Sequence, residues 1–262
     1  MENKLSDRMK TYENVNRNYL MRRTPVIIRL DGVAFHTFTN GLEKPFDKIL
    51  METMIETSQY LCENIQNCKL AYTQSDEISL LLVDYTTLTT GQWYNDNIQK
   101  MASVAASMCT LAFNKFFRTN CKRKLLEMME CDDEFITRYE KYKSKIDTAI
   151  FDARLFNLPK EEVNNYFLWR QRDASRNSIQ ALGQAHFSHK QLHCKSCAGI
   201  QDMLFNEKQI DWNNIETSKK RGTCIKRELD IKTGYNKWVI DREIPIFSHE
   251  PEYINNLVEV GE

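Results

Sequence analysis

Short β-branched and leucine-rich runs alternate with longer stretches of helical periodicity over the first three-fifths of the chain. Val26-Ile27-Ile28-Arg29-Leu30 has strand character and ends at Asp31-Gly32. Lys69 to Val83 reads as strand, sharp polar break, strand: Leu70 and Tyr72 alternate with Ala71 and Thr73, Gln74-Ser75-Asp76-Glu77 interrupts, and an apolar run resumes at Ile78. Ala149 to Phe156 is a further strand, stopped by Pro159. Between these runs, apolar residues recur at three- and four-residue steps. Ile49, Leu50, Met54, Leu61, Cys62 and Ile65 share one face, as do Ile98, Met101, Ala105, Met108, Ala112, Phe113 and Phe116. A leading helix over 1–24 carries Leu5, Met9, Tyr12, Val15, Tyr19 and Leu20 and is broken at Thr24-Pro25. The order is β (26–30), α (46–66), β (69–74), β (78–83), α (93–117), β (149–156), the split β-α-β-β-α-β motif. The expected fold is α+β: a ferredoxin-like sheet with helices on one face, followed by a helical and hairpin extension.

The pattern then changes. The stretch 130–147 is highly charged, with irregular or helical character. Lys160 to His186 is helical, with Tyr166, Phe167 and Trp169 expected to pack and Arg170, Arg172 and Arg176 to face outward. A second helix is expected over 189–206. Thr223 to Leu229 and Lys237 to Ile240, joined around Gly234, form a basic hairpin, and the tail after His249 is acidic. The expected division is a first unit, 1–158, and a helical and hairpin extension, 159–262.

In the split motif the first and third strands are neighbours, so the turn carrying Asp76 and Glu77 lies near the end of the strand carrying Asp31. Carboxylates beside a core cost desolvation unless something positive faces them. Two oxygen-ligand residues brought together suit a hard cation such as Mg²⁺, completed by phosphate and water, and such ions can clamp a phosphoryl transfer. The plainer alternative is a solvated hairpin turn. No Walker A sequence is present to hold phosphate another way.

Charge refines this picture. Lys plus Arg equals Asp plus Glu at 36 each, so an anionic partner must be met by local clusters. Lys115, Arg118, Lys122, Arg123 and Lys124 form one, which reads either as a solvated helix end or as an RNA contact. No apolar run reaches membrane-spanning length and the polar N-terminus lacks a signal-peptide core, so a cytoplasmic protein is expected. The eight cysteines form no dense framework and are expected to be free thiols. His189, His193, Cys194 and Cys197 admit a zinc site, but their single Cys-x-x-Cys has no matching pair, and the alternative is accidental spacing on a helix surface.

Taken in order, Arg29-Leu30-Asp31-Gly32 with Phe35-His36, Lys44-Pro45-Phe46-Asp47, Ala71 to Ser79, Phe151-Asp152-Ala153-Arg154 and Trp169-Arg170-Gln171 resemble the tRNA-histidine guanylyltransferase family. The likeness is greatest to its bacterial and archaeal-type like-protein branch of 3′-to-5′ RNA polymerases. The resemblance implies a polymerase palm with two Mg²⁺ ions held by Asp31, Asp76 and the Gly32 carbonyl, with Glu77 as a further catalytic acid. It implies a nucleotide pocket from Arg29, Asp31, Gly32, Val33, Ala34, Phe35, His36, Lys44, Asp47, Ser75 and Asp76, and cationic contacts to a second triphosphate from Lys100 and Arg154. It assigns tRNA contacts to the region of Arg170, Arg172, Arg176, Lys190, His193 and Lys195, and it implies a homotetramer.

The implied reaction activates a tRNA 5′-monophosphate with ATP or GTP, or starts from a 5′-triphosphate; the 3′-hydroxyl of an incoming nucleoside triphosphate then attacks that phosphoryl. Val33 and Asn97 stand where relatives often carry basic residues. The run Arg172 to Gln180 replaces a segment that eukaryotic members use to recognise the histidine anticodon. That replacement points to templated repair of truncated tRNA 5′ ends. Two other functions share the carboxylates or the basic surface: a palm-fold nucleotide cyclase-like enzyme that never touches RNA, and a non-catalytic tRNA-binding module.

Overall fold

The structure, a computed structural model, describes residues 4–128, 139–229 and 234–259. The charged stretch 130–147 is therefore described only from residue 139, and Cys131 lies outside the described residues. Six strands form one antiparallel sheet: β1 (Val26–Gly32), β2 (Cys68–Gln74), β3 (Glu77–Leu82), β4 (Phe151–Asn157), β5 (Thr223–Leu229) and β6 (Asn236–Asp241). Their order is β4-β1-β3-β2-β5-β6. Its first four strands follow the split motif, with β1 between β4 and β3.

The two-residue period of β1 divides the molecule. Ile28 and Leu30 point to one face and join Leu80, Ile78, Met54, Phe113 and Phe117 in the larger core, beneath α3 (Lys48–Asn64) and α4 (Ile98–Met128). Burying each such side chain stabilises the fold by roughly 1.5–3 kcal/mol. Ile27 points the other way and meets Leu70, Tyr72, Leu81, Tyr166 and Phe167, so that face is covered by α5 (Lys160–His186) from the C-terminal part. The helices of the split motif thus share one face as expected, and the extension closes the other.

The sheet also crosses the expected division at 158/159. β5 pairs with β2 from Leu70↔Lys226 to Thr73↔Thr223, so the basic hairpin extends the sheet begun by the first unit. At the junction, Gly222 has φ +88°, and a Cβ there would lie 2.6 Å from the Thr73 carbonyl oxygen. Only glycine permits that approach.

Four helix boundaries differ from the periodicity; one is the end of α4, which runs to Met128 and not 117, so the basic cluster from Lys115 to Lys124 lies within the helix and not at its end. The first helix, α1 (Lys4–Asn14), stops where Asn14, Asn16 and Asn18 begin to favour turns. Leu20 is then pinned beyond it by donating to the Asp96 carbonyl at 2.9 Å. α4 starts at Ile98 because Tyr94, Asn95 and Asp96 all have positive φ (48°, 55° and 61°). The helix expected over 189–206 is two: α6 (His189–Leu192) and α7 (Cys197–Lys208). Cys194 at φ 57° breaks them, and Ser196 caps the second by accepting from the Gly199 N–H at 3.1 Å. The short elements α2 (Phe35–Phe38), α8 (Thr217–Arg221) and α9 (Glu252–Asn255) complete the fold.

Candidate active site

Going along β1, the face under α5 passes from apolar at Ile27 to cationic at Arg29 to acidic at Asp31. Neighbouring strands repeat the gradient. Arg29 stands opposite Arg154 and Ser79, and Asp31 opposite Asp152 and Glu77. Three carboxylates, Asp152, Asp31 and Glu77, therefore lie in one row across β4, β1 and β3. The β2–β3 turn adds a fourth, because the Gly32 N–H donates to the Asp76 carbonyl at 3.2 Å. The backbone tie brings Asp31 and Asp76 together at one end of the sheet. Gly32 also lets the chain close over the core: a Cβ there would fall 2.2 Å from the Phe35 ring.

Like charges directly opposite one another destabilise a sheet. At one end of the row the structure supplies the compensation. The buried Glu77 receives Arg29 at 2.7 Å on one oxygen and Arg170 of α5 at 2.7 Å on the other. Arg170, itself buried, also pairs with Asp173 at 2.9 Å. Burial pushes the Glu77 carboxyl above its ordinary range, while Arg170 and Arg29 pull the other way. Burial also raises Asp76; the Ser75 hydroxyl, donating at 2.8 Å, opposes that, and the charge of Asp31 adds to it. Arg29 lies 3.9 Å from Asp31, too far for a full ion pair at its own hydrogen-bonding distance. Among the described residues, Asp31 and Asp76 are thus an acid pair with no close ion-pair partner, and a hard cation fits such a pair.

Two placements correct the sequence reading. Arg170, expected to face outward toward RNA, is locked beneath the sheet by Glu77 and Asp173. Trp169, expected to pack, is 53% exposed. The seating of α5 sets the first: Tyr166, whose hydroxyl hydrogen-bonds that of Ser79 at 2.8 Å, turns Arg170, one turn further on, toward the same strand and Glu77. Asp152 and its neighbour Arg154 form an Asp-x-Arg run that mirrors Arg-x-Asp in β1. Antiparallel pairing aligns them, although Asp152 was not among the expected site residues.

The other expected residues divide by location. Val33, Ala34 and His36 are exposed beyond Gly32, whereas Phe35 is buried against Phe38, Phe113 and Phe151, and its carbonyl accepts from the Thr39 N–H at 2.8 Å. Asp47 caps α3, accepting from Leu50 N–H at 2.8 Å and Glu43 N–H at 2.9 Å and from the Tyr142 hydroxyl. Its carboxylate is committed to holding the loop, while Lys44 in that loop is exposed. Asp47 and Ser75 still border a cleft of about 150 Å³ with Phe46, Leu50, Asn177 and Ala181, beside the Asp76 turn.

Lys100 lies in a different cleft of about 600 Å³ with Arg17, Tyr19, Asn97 and Ser103, its ammonium 4.6 Å from the Tyr94 ring centre. Arg154 is exposed on the carboxylate face, 4.0 Å from Asp152.

Arg172, Arg176, Lys190, His193 and Lys195 are exposed along α5 to α7, with Arg176 paired to Asp173. His193 and Lys195 line a cleft of about 560 Å³ with His189, Gln180, Gln184 and Phe187. Among the described residues, His189, His193, Cys194 and Cys197 do not gather into a group of three or more metal-ligating side chains. The described cysteines are free. The basic cluster on α4 is partly neutralised, with Arg118 paired to Asp147 and Arg123 to Glu56.

Carboxylates gathered at one end of a sheet, with the exposed Arg154 on the same face, suit a nucleotidyl-transfer site. The profile of the tRNA(His) guanylyltransferase family matches residues 6–159, and the chain belongs to that family. A bacterial tRNA(His) guanylyltransferase-like protein solved in complex with ATP is 44% identical, with TM-score 0.84, covering 98% of this chain and 100% of its own. One solved in complex with GTP is 41% identical, with TM-score 0.76, covering 98% and 99%. The tRNA(His) guanylyltransferase of Debaryomyces hansenii is 27% identical over 81% of this chain and 77% of its own length.

Proposed function

We propose that this chain adds nucleotides in the 3′-to-5′ direction to the 5′ end of truncated tRNA, directed by Watson–Crick pairing, after ATP or GTP activates the 5′-monophosphate. The observation that carries the reading is the pair Asp31 and Asp76, with no close ion-pair partner among the described residues, at the end of an acid row, in a chain whose solved relatives bind ATP and GTP. Asp31, Asp76 and the Gly32 carbonyl would hold Mg²⁺. An oxygen-only set of two carboxylates and a carbonyl, completed by substrate phosphates, matches what that ion takes. When bound, it supplies charge that lowers the pKa of an attacking hydroxyl and steadies the leaving group.

The protein groups do the rest. Arg29 and Arg170 fix Glu77, which fixes the base of the Asp76 turn. Glu77 therefore acts by positioning, with both oxygens engaged. Arg154 and Lys100 offer positive charge to phosphates arriving from either side of the sheet edge. The cleft between Phe46 and Ala181 beside Ser75 has the size and apolar lining to take a base. Exposed Arg172, Arg176, Lys190, His193 and Lys195 form the tRNA surface. The exposed apolar side chains of α1, Leu5, Met9 and Tyr12, support assembly, expected as a homotetramer. No described helix is long and apolar enough to cross a membrane; a cytoplasmic location is part of the proposal.

The test offers 5′-truncated tRNA, mono- or triphosphorylated, with single α-labelled nucleoside triphosphates and Mg²⁺. Label recovered at the 5′ terminus, in the base complementary to the opposing template position, is expected. Label at the 3′ end, or only in a cyclic or free nucleotide, would contradict the proposal.

A further inference from the structure

Trp169 is the exposed member of an otherwise buried stripe of α5, between Tyr166 and Arg170. Its ring is held rather than loose. The Arg170 guanidinium carbon lies 4.3 Å from the ring centre, that of Arg29 lies 5.9 Å away, and Tyr166 packs edge-on at 5.9 Å. Both guanidiniums are fixed by Glu77, and Arg29 also reaches Asp31 at 3.9 Å. The indole therefore stands at the flank of the acid row, backed by immobilised cations, with half of its surface open. A core role does not require that exposure, and a simple cation–π tie would favour burying it. A rigid aromatic face beside a positively charged backing is what a stacked nucleobase needs, since every base presents a π-face.

We propose that Trp169 is a stacking platform for a nucleobase at this site, a role that rests on the nucleotide-addition reading above. The base belongs either to the free triphosphate or to the RNA end, and the experiment's arms separate the two. Because stacking reads the ring and not its edge, Trp169 should set affinity for all four bases alike and leave template fidelity unchanged.

The test compares full-length wild type with Trp169→Leu, which keeps bulk without a π-face, and Trp169→Phe, which keeps a flat ring. Steady-state addition to truncated tRNA is measured beside binding of ATP or GTP alone and of labelled tRNA alone. Trp169→Leu is expected to raise KM for the stacking partner roughly tenfold with kcat nearly unchanged, and Trp169→Phe to recover most of the loss. Saturating wild type with that partner should quench an indole signal that is absent from Trp169→Phe. A response to ATP or GTP alone assigns the base to the nucleotide; a response only to tRNA assigns it to the RNA end. Unchanged KM for both in a Trp169→Leu protein with wild-type circular dichroism would overturn the platform. So would a change confined to oligomeric mass, which would make Trp169 a protein contact. If wild type adds no nucleotide at all, the reaction reading fails while the quenching titration still decides the platform.

Discussion

Glu77, which the family resemblance offers as a further catalytic acid, is held in place by two arginines. It is 5% exposed, and its charge is tolerable only because Arg29 and Arg170 meet it. Removing one partner of a buried pair costs about 3–5 kcal/mol, because the remaining charge keeps its desolvation penalty. Arg170→Met should therefore lower unfolding stability by about 3 kcal/mol, the lower end because Arg29 remains, and adding Glu77→Gln should restore part of it. Urea unfolding of the three proteins measures this; a loss below about 1 kcal/mol for Arg170→Met would mean the pair is not buried as described.

Asp96 gives a second residue-scale prediction. Burial first, then the nearby Asp84 charge, raises its carboxyl to about 6, with Arg22 opposing. A carboxyl whose folded pKa lies above its unfolded value binds more protons when folded, so its contribution is complete below the usual carboxylate range and is lost as pH rises toward 6. Asp96→Asn should raise the thermal midpoint at pH 7 and leave it nearly unchanged at pH 4. Asparagine also tolerates the positive φ there. An equal gain at both pH values would refute the assignment.

At the scale of elements, the strands were legible because β-branched and leucine runs ended at recognisable breaks, and the order of elements fixed which strand ends meet. Asp31 beside Asp76 followed from that order. Three features did not follow from it. The start of α4 depends on three consecutive left-handed residues, Tyr94 to Asp96, that no glycine marks. The side of α5 that faces the sheet depends on the Tyr166–Ser79 contact, so Arg170 and Trp169 were each assigned the opposite exposure. The pairing of β5 with β2 was equally silent in periodicity, being a contact between residues about 150 positions apart, as in Tyr72 donating to the Arg221 carbonyl at 2.6 Å. Gly222 carries that junction. Gly222→Ala should cost about 1–3 kcal/mol and loosen the hairpin, seen as faster amide exchange in β5 than in β1. Uniformly faster exchange through every strand would point to global destabilisation instead.

For the whole molecule, equal numbers of acids and bases mean that the proposed RNA substrate would be met by local surfaces, several of whose cations are already paired. Binding should nonetheless weaken steadily as salt rises, because phosphate contacts release counterions. Reversing Lys190 and Lys195 to Glu should reduce both the affinity and the slope, as read by filter binding across a salt series; an unchanged slope would place the RNA elsewhere. The account as a whole stands on Asp31 and Asp76 serving chemistry and not RNA binding. The most direct measurement is single-turnover addition to prebound truncated tRNA by wild type, Asp31→Asn and Asp76→Asn, with tRNA affinity measured on the same proteins. The predicted result is loss of addition by at least about a thousandfold in both variants, with tRNA affinity essentially retained. Addition persisting at a rate near wild type in either variant would contradict the account.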